Sequence, residues 1–378
     1  MLAFIRKELP FLLLGIAIVA YSIYFSFFTI LRNEKMYAHY FDLGIMHQTV
    51  HNTYMSLKTG DFSRFLELTD PHNTYHQVKR MSVHNDILLA FLAPFYFIHD
   101  GPETLLVIQA LGVAFGALFI FLITEKVLAH MNISTRHHEA SWIGFSLGIV
   151  YLFYPPLQQA VTFEFHAVTL ATTLLLGMYY FWLIKKHVWS FLFAVLAIFS
   201  KEQVGLVTGF FCLYILITNC ELRITSLFNI EELRKKKKEF IKSSQWKFAI
   251  SLGIFSLVWV VLSMKFIIPG FRGSEHFGSD YYSYIIDAPL SIFPAVFRVQ
   301  SLSYLRELLF PVGFLSIFAP MQLFIAAPEF GVVLLSANEN MRNTYFHYHT
   351  VIDTFIFIAA IYGVKNIDSL YKKLTGKT

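Results

Sequence analysis

Charge is what this sequence has least of. Asp, Glu, Lys and Arg make up only 15% of the residues, against 56% hydrophobic and 17% aromatic, and the mean hydropathy is +0.55. A chain so short of charge cannot clothe a soluble globule, so most of it belongs in lipid. Cysteine is nearly missing as well. Cys212 and Cys220 are the only two and fall at or near one helix, which excludes a disulfide framework and a cysteine-rich metal centre. Internal repeats and a separate soluble domain are also lacking, and the basic run Arg234 to Lys238 is the one low-complexity stretch. No small-x-small cleavage site follows Arg6 and Lys7. The apolar run from Leu9 to Leu31 is too long for the core of a signal peptide and is expected to stay as an anchor. The net charge of +5 comes from basic residues in loops between apolar runs, where they set orientation, so nucleic acid is excluded as a partner.

What is abundant is apolar sequence in blocks. Crossing a hydrocarbon core of about 30 Å takes roughly 20 such residues. On that measure crossings are expected at 9–31, 102–124, 141–157, 167–184, 188–200, 204–219, 248–268, 299–320, 321–336 and 350–365. Residues 1–378 then form a single all-α polytopic domain, a helical bundle of about ten transmembrane helices. Trp142, Trp182, Trp189 and Trp246 lie near the expected span ends, where amphipathic rings settle. The segment Asp86 to His99, "DILLAFLAPFYFIH", is apolar but covers only about 21 Å as a helix, so it is expected to lie along the membrane. Lys126 with Arg136, Lys185 with Lys186, the Lys235 cluster and Lys372 with Lys373 then share the side of Arg6 and Lys7. That arrangement satisfies the positive-inside rule and places both termini in the cytoplasm. Residues 32–101 become a first extracytoplasmic loop with juxtamembrane helices, 221–247 a basic cytoplasmic loop and 269–298 a further extracytoplasmic loop.

This topology gathers chemistry on the outer face. Asp42, His84, Glu164, His166, Lys201, Glu202, His347 and His349 all fall there from separate connections. Ionisable groups at a membrane are costly and mark functional sites. In "HYFDLGIMHQTVH" and the residues after it, Leu43, Met46, Val50, Tyr54 and Leu57 recur at steps of three and four, the apolar stripe of an interfacial helix. Asp42 stands at its start. It reads either as a helix cap or as a general base or metal-ligating acid.

Glu164 and His166 in "VTFEFHAVTL" are placed to reach the same cavity. Lys201 and Glu202 in "FSKEQVG" read as a local ion pair, or as a cation for an anionic headgroup with Glu202 orienting it. His47 with His51 and His72 with His76 are four apart, and His347 with His349 two apart, but no Cys or HExxH pattern accompanies them. No metal ligand is assigned; a divalent ion held by carboxylates and phosphate oxygens is the metal chemistry left open. Tyr281, Tyr282 and Tyr284 suit a sugar ring or a membrane rim, and Glu329 after Pro328 points to a broken helix.

The blocks "YFDLGIMHQ", "HNDILLAFLAPFYFI", "FEFHAVTLATTLLL", "FSKEQVGL", "LLFPVGFLSIFAPMQLFIAAPE" and "FHYHTVIDTFIFIAAIYG" resemble, in order and spacing, a bacterial and archaeal family of predicted multi-pass membrane proteins of unknown function. That family is similar to the GT-C class of membrane glycosyltransferases. The resemblance implies a plasma-membrane enzyme of the cell envelope that uses a polyprenyl-phosphate sugar donor and an unidentified acceptor among membrane lipids. Asp42 matches the acid that serves GT-C enzymes as base or metal ligand. Many of them carry a pair of acids there; here Phe41 precedes the acid, so a second is expected from Glu164, Asp61 or Asp70. By the same resemblance Lys201 and Arg272 would stabilise the departing phosphate, and His84, Glu164, His166, Glu202, His347 and His349 would bind substrate. A transporter or flippase of a lipid-linked or small polar substrate, and a non-catalytic envelope-assembly protein, are the alternatives.

Overall fold

A computed structural model describes residues 2–39, 41–71, 76–128, 137–219 and 241–376. The basic run Arg234 to Lys238, Cys220, Arg136 and His72 lie outside the described residues. In chain order the main helices are α1 (Leu2–Glu34), α2 (Phe41–Thr59), α3 (Leu88–Leu92), α4 (Pro102–Leu128), α5 (His137–Leu152), α6 (Pro155–Phe163) and α7 (Ala171–Leu183). They continue as α8 (His187–Ile198), α9 (Val204–Asn219), α10 (Ser244–Leu262), α11 (Val299–Leu309), α12 (Ala327–Leu334) and α13 (Thr350–Thr375). Two short strands, β1 (Glu67–Thr69) and β2 (Gln77–Lys79), pair antiparallel with Leu68 opposite Val78.

Four helical stretches are long and apolar enough to cross a bilayer: Glu8–Glu34, Pro102–Leu128, Ser244–Arg272 and His347–Thr375. They coincide with the crossings expected at 9–31, 102–124, 248–268 and 350–365. Helices α5 and α6, bent by 43° at their junction, are long and apolar enough together to count as a fifth if the pair is one span, where 141–157 was expected. At 167–184, 188–200, 204–219 and 321–336 the helices are apolar but shorter, 10–17 residues. The expected crossing at 299–320 is not one helix. Helix α11 stops at Leu309, Pro311 follows, and Gly313 and Phe314 turn the chain with φ of 60° and 54°. A proline that removes a backbone donor, followed by a left-handed pair, cannot continue a helix. The break before Glu329 is present as expected, with α12 beginning afresh at Ala327 after a turn at Phe324–Ala326. The segment after Asp86 is likewise broken, into α3 and a tight turn at Ala93–Phe97.

The main core lies among α1, α4, α5, α7, α9 and α13. A side chain at Gly148 would come within 2.8 Å of Leu14 and 3.4 Å of the Ala117 carbonyl, so glycine there lets α5 settle against α1 and α4. Helix α13 is the mast of the bundle: every residue from Val351 to Ile361 is buried. Thr172 Oγ1 donates to the Thr350 carbonyl (2.9 Å) and Thr354 Oγ1 to the Thr172 carbonyl (3.2 Å), bonds that tie α7 to the mast where lipid offers no competing partner.

A second core holds α2. Leu43, Met46, Val50 and Tyr54 are buried against Leu88, Leu89, Leu92 and Tyr96, so the apolar stripe is real. Its partner is protein, however, rather than the bilayer surface, and Leu57 is exposed. The polar face is also spoken for: Gln48 Oε1 accepts from the Thr69 backbone (2.9 Å) and Asn52 Nδ2 donates to the Glu67 carbonyl (2.9 Å). These bonds lock α2 to the hairpin and fix where its first turn points.

Candidate functional site

The first turn of α2 points into a cavity of about 620 Å³. Its polar wall carries Asp42, Arg80, His84, Asp86, His166, Lys201, Glu202, His276 and His347, contributed by segments spread over some three hundred residues of chain. Leu206, Val260, Met264 and Val332 line the same cavity and give it an apolar component. The lining is therefore mixed, with ionisable and apolar side chains sharing one chamber.

Asp42 is not the cap of its helix. Glu164, buried at 2% exposure, does that work, its Oε2 accepting the Leu43 N–H at 2.9 Å. The turn that holds Glu164 is pinned by Gln109 of α4, whose Nε2 donates to the Glu164 carbonyl (2.8 Å) while its Oε1 accepts from the His166 N–H (2.8 Å). Asp42 is left to face the cavity, with Oδ2 3.3 Å from His166 Nε2. Burial alone raises the Asp42 carboxyl, but the His166 hydrogen bond and the positive charge of His166, Arg80 and Lys201 outweigh it and hold the group below its ordinary 3.8. Glu164 goes the other way, pushed up by burial and by the Asp42 charge. Behind Asp42 the His166 ring stacks on His347, centroids 3.6 Å apart.

Across the cavity Glu202 is the hub. Its Oε1 takes His84 Nδ1 at 2.9 Å and lies 3.4 Å from His276 Nε2, while Oε2 accepts the Asn85 N–H at 3.0 Å. Burial raises this carboxyl, yet the His84 charge, the two imidazole hydrogen bonds and Lys201 hold it well below the usual range. The local Lys201–Glu202 pair is thus replaced by long-range partners. Lys201 makes no ion pair among the described residues, and its Nζ stands 5.7 Å over the Tyr348 ring. Arg80 and Asp86 form a bidentate pair at 2.7–3.0 Å, each 3% exposed, on the same wall.

Of the residues singled out in the sequence, Asp42, His84, His166, Lys201, Glu202 and His347 line one cavity. Glu164 supports it from behind. Arg272 does not reach it, donating instead to Ser274 Oγ and the Ser82 carbonyl. His349 is fully buried and bonded to Asp353 (2.6 Å) inside the mast. Asp61 caps the turn at Phe62–Arg64 and Asp70 is not on the cavity; of the three acids expected beside Asp42, Glu164 is its close neighbour, and Asp86 and Glu202 join Asp42 on the cavity lining. His47 Nδ1 bonds Tyr96 OH (2.8 Å) and His51 Nδ1 bonds Asp100 (2.8 Å), so each ring has one nitrogen engaged away from the cavity. Tyr282 and Tyr284 spend their hydroxyls on the Val332 and Leu335 carbonyls, anchoring their segment to the end of α12.

Arg80, Asp86 and His276 were not singled out. Asp86 sits two residues from His84, a spacing that offered a signal, while His276 in "FRGSEHFGSD" carries none until the loop closes. Among the described residues, the one group of metal-ligating type that converges is His84, Glu202 and His276, with ligand atoms within 4.8 Å of one another.

These features define a class: an α-helical membrane protein with a charged cavity set against its apolar helices. Residues 32–377 match the family described as predicted membrane protein (DUF2079), and the chain belongs to that family. No curated protein and no solved structure matches the chain.

Proposed function

We propose that this protein is a GT-C type glycosyltransferase of the extracytoplasmic face, using a polyprenyl-phosphate sugar as donor. The observation that carries the reading is the mixed lining of one cavity, in which Asp42, Lys201 and the histidines occur together with Leu206, Val260, Met264 and Val332. The charged side chains suit a headgroup and the apolar ones its isoprenoid tail. Asp42 takes the proton from an acceptor hydroxyl; the oxygen attacks the anomeric carbon with inversion, and the bond to the lipid phosphate breaks with its electron pair on phosphate. Lys201 meets the charge that develops there. His166 positions Asp42, and holding both substrates at one surface supplies much of the rate.

Purified protein supplied with lipid-linked sugars is expected to transfer sugar, and Asp42→Asn to abolish transfer while eluting as folded protein. Undiminished transfer by Asp42→Asn overturns the role of Asp42. A transporter is the second reading, favoured by buried ionisable groups away from the cavity, Asp353 bonded to His349 and Glu329 bonded to Gln203 (2.6 Å). Uptake into protein-loaded vesicles without sugar transfer decides for it.

A further inference from the structure

The geometry points to a site for one divalent transition-metal ion of the zinc class on His84, Glu202 and His276. Two imidazole nitrogens converge on one carboxylate oxygen, at 2.9 and 3.4 Å, and all three ligand atoms lie within 4.8 Å of one another. Ligands held at about 2.0–2.2 Å from a tetrahedral zinc stand roughly 3.4 Å apart, so the ion needs only a small adjustment of the rings. Two histidines and one carboxylate form a three-ligand set that leaves a coordination position open. That position faces the cavity, since all three residues line it beside Lys201.

The surroundings suit an ion. The Asn85 N–H holds Glu202 Oε2 at 3.0 Å and so turns Oε1 toward the rings, the outer-shell contact that ligating carboxylates use. Asn85 is itself fixed by Ser263 Oγ (2.8 Å), which ties the ligand set to the end of α10. Among the ionisable residues on the cavity wall other than histidine, three carboxylates (Asp42, Asp86, Glu202) face two cations (Arg80, Lys201). A dication reverses that balance and readies the cavity for an anionic headgroup. Metal bonds replace the two imidazole contacts to Glu202 Oε1, and the Gly278 N–H, which now donates to His276 Nδ1 (2.9 Å), must release it when Nε2 ligates.

The test uses the full chain in detergent, stripped by chelator and titrated with Co²⁺ and then Zn²⁺, with no sugar donor present. Expected are one Co²⁺ per chain with tetrahedral visible absorption, its displacement by Zn²⁺, and at least tenfold weaker binding in His84→Ala and His276→Ala. His47→Ala with His51→Ala leaves binding unchanged. Glu202→Gln removes an acceptor shared by several donors and can unfold the protein, so His276→Ala is the deciding variant. Zn²⁺ raises the unfolding temperature of the parent protein and not of folded His276→Ala. Absence of a stoichiometric ion in the parent, or undiminished binding by folded His276→Ala, overturns the site. Because neither readout needs transfer, failure here is distinct from failure of the transferase reading.

Discussion

The imidazole of His347 lies flat beneath that of His166, centroids 3.6 Å apart and planes 24° from parallel, and His166 in turn stands 3.3 Å from the Asp42 carboxylate. His347 therefore acts on Asp42 through an intermediate ring. Aromatic pairs of this kind are worth about 0.5–1.5 kcal/mol beyond burial. His347→Ala is expected to lower kcat for transfer by about tenfold, equivalent to about 1.4 kcal/mol, with KM little changed. His347→Phe, which keeps a flat ring, restores most of it. Equal losses in both variants would show that His347 contributes its nitrogens to substrate instead of its face to His166.

Stability separates the two acids at the start of α2. Glu164→Ala strips the acceptor from the Leu43 N–H and is expected to cost about 1 kcal/mol, the usual worth of a helix cap. Asp42→Ala leaves that bond intact and costs less. Denaturant unfolding of both variants in detergent measures the order, and the reverse order would return the capping role to Asp42.

The pH profile carries the sign of the Asp42 shift. A carboxyl held below 3.8 stays ionised through the neutral range, so kcat/KM governed by Asp42 is flat on acidification down to about pH 4 and falls only beyond it. The same depression stabilises the fold above 3.8, and the contribution is lost as pH drops through the lowered value. An acid limb near pH 6.5, the ordinary value for imidazole, would assign the base to a histidine.

Arg80 and Asp86 form the most exposed-to-risk pair in the cavity wall, since both are almost wholly buried. Asp86→Ala leaves the buried guanidinium without its bidentate partner and is expected to destabilise by about 3 kcal/mol. Removing both charges in Arg80→Met with Asp86→Leu recovers much of that loss. Thermal unfolding of the single and double variants in detergent tests the coupling; additive losses would mean the two side chains do not depend on each other.

Much of this was legible in the sequence. Periodicity marked α2 because Leu43, Met46, Val50 and Tyr54 recur at helical steps, and a shortage of charge elsewhere made Asp42, His166 and Lys201 stand out. What periodicity cannot say is which surface an apolar stripe meets, so lipid was expected where Leu88 and Tyr96 lie. Nor can neighbours in sequence reveal that Glu202 prefers His84, 118 positions away, to Lys201 beside it. The run 299–320 misled because apolar composition says nothing of backbone continuity; Pro311, Gly313 and Phe314 decide that. His276 became visible only once Tyr282 and Tyr284 had pinned its loop.

The mast has a consequence for biosynthesis. Every residue on the cavity wall lies at or before Tyr348, while α13 begins at Thr350. A nascent chain halted just before α13 would thus own the whole chemical inventory of the site and none of the spine against which α4, α7 and α12 lean. The post is thus the last of the described helices to be made, so the helices that lean on it are braced only after it has been synthesised.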